Sequence, residues 1–269
     1  MHFYVRPNFQ NPRFFDIIIE LHRYHMASQE LRRIVEIAGS ASDRFGLWTA
    51  VTGAFRFRDV CEIGVYEGDF AAALLSGADS VERYFMVDPW RHLEGWNKPL
   101  NGSDSLLESA YGKAMTATAA WSGKRVVLRD VSKQALRRIE DGSLDFAYID
   151  GDHTLRGITI DLVNLLPKMR KGGVVAGDDF VKNIWQHGVR YSPTEVHPFA
   201  LYFAEAHGLP FASLPFEQFC IVNDPSAGFE WVDRGGYAKL DPVSVYATPQ
   251  GPILQRWKTK WREWFPAFS

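Results

Sequence analysis

Two stretches of the sequence place acidic side chains directly after apolar runs: "FAYIDGDHT" (146–154) and "GVVAGDDF" (173–180). Asp150 ends the first run, and Asp178 and Asp179 end the second, 28 and 29 residues later. If the runs are adjacent parallel strands, their carboxyl ends meet above the sheet, where open α/β folds bind ligands. Three carboxylates then converge. Two like charges about 4 Å apart repel by about 4 kcal/mol at an effective dielectric near 20, so the trio needs a cation, protonation or a basic partner. Oxygen-only donors suit a divalent metal, Mg2+ first and Mn2+ or Ca2+ after it, rather than zinc. Neighbouring residues in a strand point to opposite faces, so Asp178 and Asp179 reach one ion only where the chain has left the strand. The alternative is that one aspartate caps the following helix and the others are solvated. His153 stands three residues past Asp150, in the turn into the next helix, within reach of the same pocket.

The elements that must position these residues are legible from the apolar rhythm. The runs "DVCEI" (59–63), "YFMV" (84–87), "RVVL" (125–128), "FAYI" (146–149) and "GVVA" (173–176) read as five strands. Between them, Leu107, Tyr111, Ala114 and Thr118 share one helical face. Leu155, Ile158, Leu162, Leu165, Leu166 and Met169 share another, and "KMRKGG" closes that helix. Nearly all-apolar strands alternating with helices imply a doubly wound α/β fold, a parallel sheet covered on both faces. A helix from about Glu195 to His207 follows, then "PFASL" and "FEQFCIVN", joined so tightly around Leu214 and Pro215 that they pair antiparallel. The expectation is a Rossmann-like seven-stranded sheet: five parallel strands plus a C-terminal antiparallel pair. Ahead of it, Phe15, Ile18, Ile19 and His22, then Leu31, Ile34, Val35 and Ala38, predict an N-terminal helical cap. The organisation is then a cap over residues 1–57, a core over 58–224 and a C-terminal extension over 225–269.

The first strand runs into "EIGVYEGDF", with Glu62, Gly64 and Gly68 ahead of a helix. Glycines let the backbone turn sharply, and the helix start supplies free N–H groups. G-x-G-x-x-G is absent, because Val65 and Tyr66 follow Gly64, and this disfavours NAD. Asp88 ends the second strand, 24 residues beyond Gly64, where a carboxylate can accept both hydroxyls of a ribose.

In "EIGVYEGDF", "VDPW", "LRDVS", "DFAYIDGDHT" and "LPKMRKGGVVAGDDF" the chain resembles the class I S-adenosylmethionine-dependent methyltransferases, over about residues 58–224. "YIDGDH" followed by "GGVVAGDDF" is similar to the metal-dependent O-methyltransferase branch that includes antibiotic-sugar enzymes. The resemblance implies that Glu62, Gly64 and Gly68 lie along the methionine part of S-adenosylmethionine. It further implies that Asp88 holds the ribose and that Asp130, Val131 and Ser132 flank the adenine. It casts Asp150, Asp178 and Asp179 as metal ligands and His153 as the general base, with Asp150 as runner-up. After "DGDH", where relatives continue with an aromatic and an acid, this chain has Thr154, Leu155 and Arg156, a departure on the acceptor side.

Methyl transfer from a sulfonium needs mainly alignment. A hydroxyl acceptor also needs its proton removed, which a metal and a base assist, so the acidic cluster argues for O-methylation of a small molecule or glycan. The rival readings are metal-independent transfer to nitrogen or a carboxylate, and a non-catalytic binding module on the same fold. Lys and Arg number 30 against 32 Asp and Glu, a formal charge of −2, so no basic field favours nucleic acid. Cys61 and Cys220 sit in apolar runs and read as buried reduced thiols of a cytoplasmic protein. No apolar run approaches about 18 residues and the N-terminus lacks signal-peptide features, so neither a membrane span nor export is expected. The insert "PWRHLEGWNKPLNGSDS" (89–105) reads as a lid with Trp90, His92 and Trp96 facing the acceptor. "ILQRWKTKWREWF" reads as a basic amphipathic helix, with Leu254, Trp257, Trp261 and Trp264 on one face. It is expected to dock on its own domain or a second subunit more readily than on a membrane surface.

Overall fold

The computed structural model describes residues 28–247. The stripe Leu31, Ile34, Val35 and Ala38 forms the buried face of α1 (Gln29–Ala38), started by Ser28, whose hydroxyl accepts from the Leu31 N–H at 3.1 Å. α2 (Arg44–Phe55) begins in the same way on Asp43, which accepts from the Gly46 N–H at 2.8 Å, and buries Leu47, Trp48, Val51 and Thr52. The sheet and its crossovers come next: β1 (Asp59–Ile63), α3 (Asp69–Gly77), β2 (Arg83–Val87), α4 (Asp104–Ala117), β3 (Arg125–Leu128), α5 (Ser132–Ala135), β4 (Leu144–Ile149), α6 (Leu155–Leu165) and β5 (Met169–Gly177). α7 (Val196–Ala206), β6 (Phe211–Leu214), β7 (Gln218–Val222), β8 (Trp231–Asp233) and α8 (Pro242–Tyr246) complete the described chain.

The strand order is β3-β2-β1-β4-β5-β7-β6-β8, with β1 to β5 parallel and β7 antiparallel to both β5 and β6. The sheet is α/β and Rossmann-like as expected, but it has eight strands among the described residues, not seven. β8 pairs parallel with β6 at the edge. Its three residues are only half-buried, so they carry none of the long apolar signal that marks the other strands. A second correction concerns Met169, which opens β5 rather than closing the preceding helix. The α-helix stops at Leu165, a tighter turn over Leu166–Lys168 holds Pro167, and the β4–β5 register shifts between Leu144 and Phe146 so that Leu144 still pairs with Met169.

Alternation along each strand divides the core. Val60, Tyr84, Phe146, Tyr148, Val174 and Cys220 face one layer, and Cys61, Phe85, Ala147, Ile149, Val175 and Ile221 face the other. α1 and α2 belong to the first layer, packed with α3 directly on the sheet, so the described part of the expected cap is one covering layer of the sandwich. Trp48 shows this most clearly, lying fully buried with its ring 5.5 Å from Phe146. Both cysteines are buried, in β1 and β7. Among the described residues no helix is long and apolar enough to cross a membrane. Residues 1–27 and the Trp-rich helix expected near the C-terminus lie outside the described residues.

On the second face, His197 in α7 packs against Phe180 and Tyr237, each ring centroid 4.9 Å away, with its Nδ1 buried and unpartnered. Burial pulls its pKa from 6.5 down to about 4, against a weaker opposite pull from Asp233. The folded state therefore keeps His197 neutral where the unfolded chain would protonate it. Its contribution to stability is full above pH 6.5 and is lost as pH falls toward 4. Thermal melts of the wild type and His197→Phe between pH 7 and 5 should show the wild type losing more stability on acidification. Parallel pH profiles would count against this assignment.

Candidate active site

The sequence-predicted residues collect at the carboxyl ends of the parallel strands. The Asp150 N–H donates to the Ile63 carbonyl at 2.7 Å, and the Asp178 N–H to the Ile149 carbonyl at 3.0 Å, so both aspartates emerge from the same rim. β5 ends at Gly177, and Asp179 takes a left-handed backbone with φ 57°, a conformation aspartate tolerates better than most residues. That turn lets the neighbouring aspartates serve one cluster from different sides. Asp178 turns to Arg44 and Gln218, and Asp179 to His153.

The three carboxylates converge, and the basic partners come from the protein. Arg44, at the start of α2, places one guanidinium nitrogen 3.1 Å from Asp150 and in direct contact with Asp178. Asp178 also accepts from the Gln218 amide at 2.6 Å. Gln218 is fully buried and uses its whole hydrogen-bonding capacity. Its oxygen accepts from Trp48 Nε1 and from the Tyr148 hydroxyl, both at 2.8 Å, and its nitrogen also donates to the Phe216 carbonyl at 2.9 Å. One amide thus ties α2, β4 and the β6–β7 turn to the carboxylate at the end of β5.

His153 is 6% exposed. Its Nδ1 contacts Asp179, while Nε2 is buried, has no hydrogen-bond partner and lies 3.7 Å from Asp150. Burial would lower the imidazole pKa, but the hydrogen bond and charge of Asp179, with the charge of Asp150, outweigh it and hold His153 above its ordinary value. Asp179 is held well below the usual carboxylate range, because its bond to His153 overcomes the opposing effect of burial. Burial raises Asp150, only partly offset by His153 and Arg44.

This donor set does not fit a divalent ion as arranged. The carboxylate oxygens that would ligate it already face Arg44, Gln218 and His153, and no group of three His, Cys, Asp or Glu among the described residues has the geometry to hold a metal. The basic partner, one of the three ways to relieve such crowding, is what the structure supplies.

On the other side of the rim, the glycine loop is shaped by close backbone approach. A Cβ on Gly64, which has φ +86°, would lie 2.0 Å from the Asp150 carbonyl oxygen, and one on Gly68 would lie 2.9 Å from the Ala114 Cα. Both glycines thus serve contacts within the protein. Asp88 accepts from the Val65 and Tyr66 N–H groups at 3.0 Å each and from the Trp90 N–H at 2.7 Å, so its carboxylate braces the glycine loop. Glu62 is buried, accepts from the Tyr84 hydroxyl at 2.7 Å and is pushed up to about 8, mainly by burial. It therefore carries its proton near neutral pH. Asp130 caps its own turn by accepting from the Val131 N–H at 2.8 Å, and Ser132 hydrogen-bonds the buried Asp161, which burial raises to about 7.

The 89–105 segment does lie beside the cluster, but its aromatic residues do not share one role. Trp90 is buried, donates to the Tyr66 carbonyl at 2.7 Å and packs edge-on against Tyr111. His92 stays within the segment, its Nδ1 3.1 Å from the Gly102 carbonyl. Of the three, only Trp96 reaches the knot of charged residues after β4 (150–153), donating to Asp152 at 3.0 Å. Asp152 also accepts from the Thr154 N–H at 3.0 Å, so it joins the segment to the start of α6. Lys98, nearly buried, donates to Thr194 at 2.9 Å and to the Pro193 carbonyl at 3.2 Å, fixing the segment's far side. Arg44, Gln218, Trp48 and Lys98 escape a reading by motif, because each meets the site from a segment distant in sequence. The one available signal was the charge balance of the trio.

Residues 61–180 match the family model of a methyltransferase domain. The Sinorhizobium fredii protein y4gI is 28% identical over 174 residues, 61% of this chain, and the chain spans 18% of that protein's length. Among solved structures, a Staphylococcus aureus protein provisionally named a caffeoyl-CoA O-methyltransferase superposes with a TM-score of 0.51 at 15% identity, covering 78% of this chain and 98% of that one. An O-methyltransferase from Bacillus cereus in complex with SAH superposes with a TM-score of 0.51 at 15% identity, covering 73% and 91%. The fold is the Rossmann-like fold of methyltransferases, with an eight-stranded mixed sheet.

Gln218→Leu should destabilise the protein by about 2 kcal/mol or more in urea unfolding, because it leaves Trp48 Nε1 and the Tyr148 hydroxyl buried without acceptors. A loss under about 0.5 kcal/mol would show that the amide does not hold the site together.

Proposed function

We propose that this chain is an S-adenosylmethionine-dependent methyltransferase acting on a hydroxyl of a small molecule or glycan. The observation that carries the O-methyl reading is the buried His153, bound through Nδ1 to Asp179 with Nε2 left unpartnered beside Asp150. This is the arrangement of an oriented general base: a carboxylate fixes the tautomer and the opposite nitrogen stays available for a proton. A neutral amine or a carboxylate acceptor would need no such group, whereas a hydroxyl does.

The acidic residues around the glycine loop suit a cationic cofactor bearing a diol. Glu62, Asp88 and Asp130 follow one another at the ends of β1, β2 and β3, and Ser132 stands where the resemblance puts the adenine. S-adenosylmethionine, held along Glu62, Asp88 and Asp130, would supply an electrophilic methyl group to the acceptor oxygen, with the thioether as leaving group. The rest falls to the protein. His153 Nε2 takes the hydroxyl proton, Asp179 stabilises the resulting imidazolium, and the 89–105 segment, pinned by Trp96 and Lys98, shields the reacting groups from water. The divalent metal suggested by Asp150, Asp178 and Asp179 has no step here, because those carboxylates are taken up by Arg44, Gln218 and His153.

Two variants test the assignments. His153→Ala should lose at least about 100-fold in turnover while keeping SAH affinity in calorimetry. Unchanged turnover would remove His153 from the mechanism. Glu62→Gln, which fixes the neutral state, should fold with near wild-type stability at pH 7 yet bind S-adenosylmethionine about tenfold or more weakly, because the sulfonium charge would draw the proton off Glu62 and the amide has none to lose. Retained affinity would place Glu62 in the core only.

A further inference from the structure

We propose that the guanidinium of Arg44 is the resident cation of this site, standing where a divalent metal would otherwise sit, so that the chain works without one. The purpose of this cation rests on the methyl-transfer reading, whereas its charge balance rests on geometry alone. Asp150 and Asp178, at the ends of adjacent strands, share a single nitrogen of Arg44. The third carboxylate, Asp179, is served by His153. Three carboxylates therefore face one permanent cation, Arg44, and one imidazole that hydrogen-bonds Asp179, all from the same chain.

The placement is built rather than incidental. Arg44 opens α2 behind the Asp43 cap, and Trp48 lies four residues on, one turn along the same face. Trp48 is fully buried and donates to Gln218, which in turn donates to Asp178. The same helical face thus reaches Asp178 twice, directly through Arg44 and indirectly through Trp48 and Gln218. The Arg44 side chain is 33% exposed, with Phe45 beneath its guanidinium at 5.1 Å, and a guanidinium does not shed its charge at any working pH. A divalent ion ligated by Asp150 and Asp178 would have to expel this group or bind against its charge.

Manganese titration of the full chain, followed by calorimetry and by electron paramagnetic resonance of free Mn2+, decides the matter without an acceptor. The wild type should show no saturable Mn2+ site up to ~1 mM. Arg44→Ala should gain one at least about tenfold tighter, and Arg44→Lys, which keeps the charge, should not. Arg44→Gln repeats the measurement should the alanine variant fail to fold. A micromolar Mn2+ site in the wild type, or no gain on removing the charge, would overturn the proposal. SAH binding measured in EDTA and again with Mg2+ separates the two ideas. Equal affinity in both is expected, and affinity that requires Mg2+ would count against Arg44. Absence of SAH binding in both buffers would sink the methyltransferase reading and leave the Mn2+ result to judge Arg44 by itself.

Discussion

Everything at the rim of this sheet is arranged around the crowding of three carboxylates. Asp150, Asp178 and Asp179 are brought together by strand pairing, which the apolar sequences of β4 and β5 enforce whatever side chains stand at their ends. Their mutual repulsion is a cost of several kcal/mol unless positive groups enter between them. Arg44 supplies the permanent positive charge from the helix ahead of the sheet, and His153, from the turn after β4, gives Asp179 a hydrogen-bond partner that becomes positive when it takes up a proton. The orientation of each side chain results from this compensation: the contact of His153 with Asp179 is what leaves the opposite imidazole nitrogen without a hydrogen-bond partner.

Such compensation works only if the positive groups cannot drift, and the core supplies the restraint. Trp48 belongs to the apolar layer between α2 and β4, yet its indole N–H also closes the Gln218 network. A buried amide with every donor and acceptor satisfied is rigid, because any reorientation strands at least one polar group in a dry interior. Packing on one face of the sheet therefore sets the angle of Asp178 at the sheet's end. On the far side of the cluster, Asp152 and Lys98 do the same for the 89–105 segment, with polar bonds instead of apolar contact.

The residues legible in the sequence are those whose position is dictated by local pattern. Four of the parallel strands, β1, β2, β4 and β5, announce themselves as apolar runs because both of their faces are covered. The edge strand β3 keeps an apolar run although it is partly exposed, and the residues just past the strands are then placed by topology. β8 escapes such a reading because a short, half-buried edge strand has no such run, and Met169 misleads because its apolar side chain suits a helical face and a strand equally. Arg44 stands 106 residues from Asp150, and Trp48 stands 170 from Gln218, so their pairing is a product of the tertiary fold. Only the physical demand for positive charge is visible in the sequence, without its source.

The glycine loop shows the same limit from the other direction. Gly64 reads as a residue freed for a ligand, yet the atom that forbids a side chain there is the Asp150 carbonyl oxygen. The loop after β1 and the knot after β4 are thus in backbone contact, and neither can shift without displacing the other. Asp88 reinforces this by accepting two N–H bonds from the loop, which fixes Val65 and Tyr66 immediately beside Gly64. A cofactor seated along Glu62 and Asp88 would therefore rest on the same rigid unit that holds Asp150. Alignment of a methyl donor with its acceptor depends on fractions of an ångström. A shared backbone contact, rather than a flexible side chain, is the kind of connection that could maintain it.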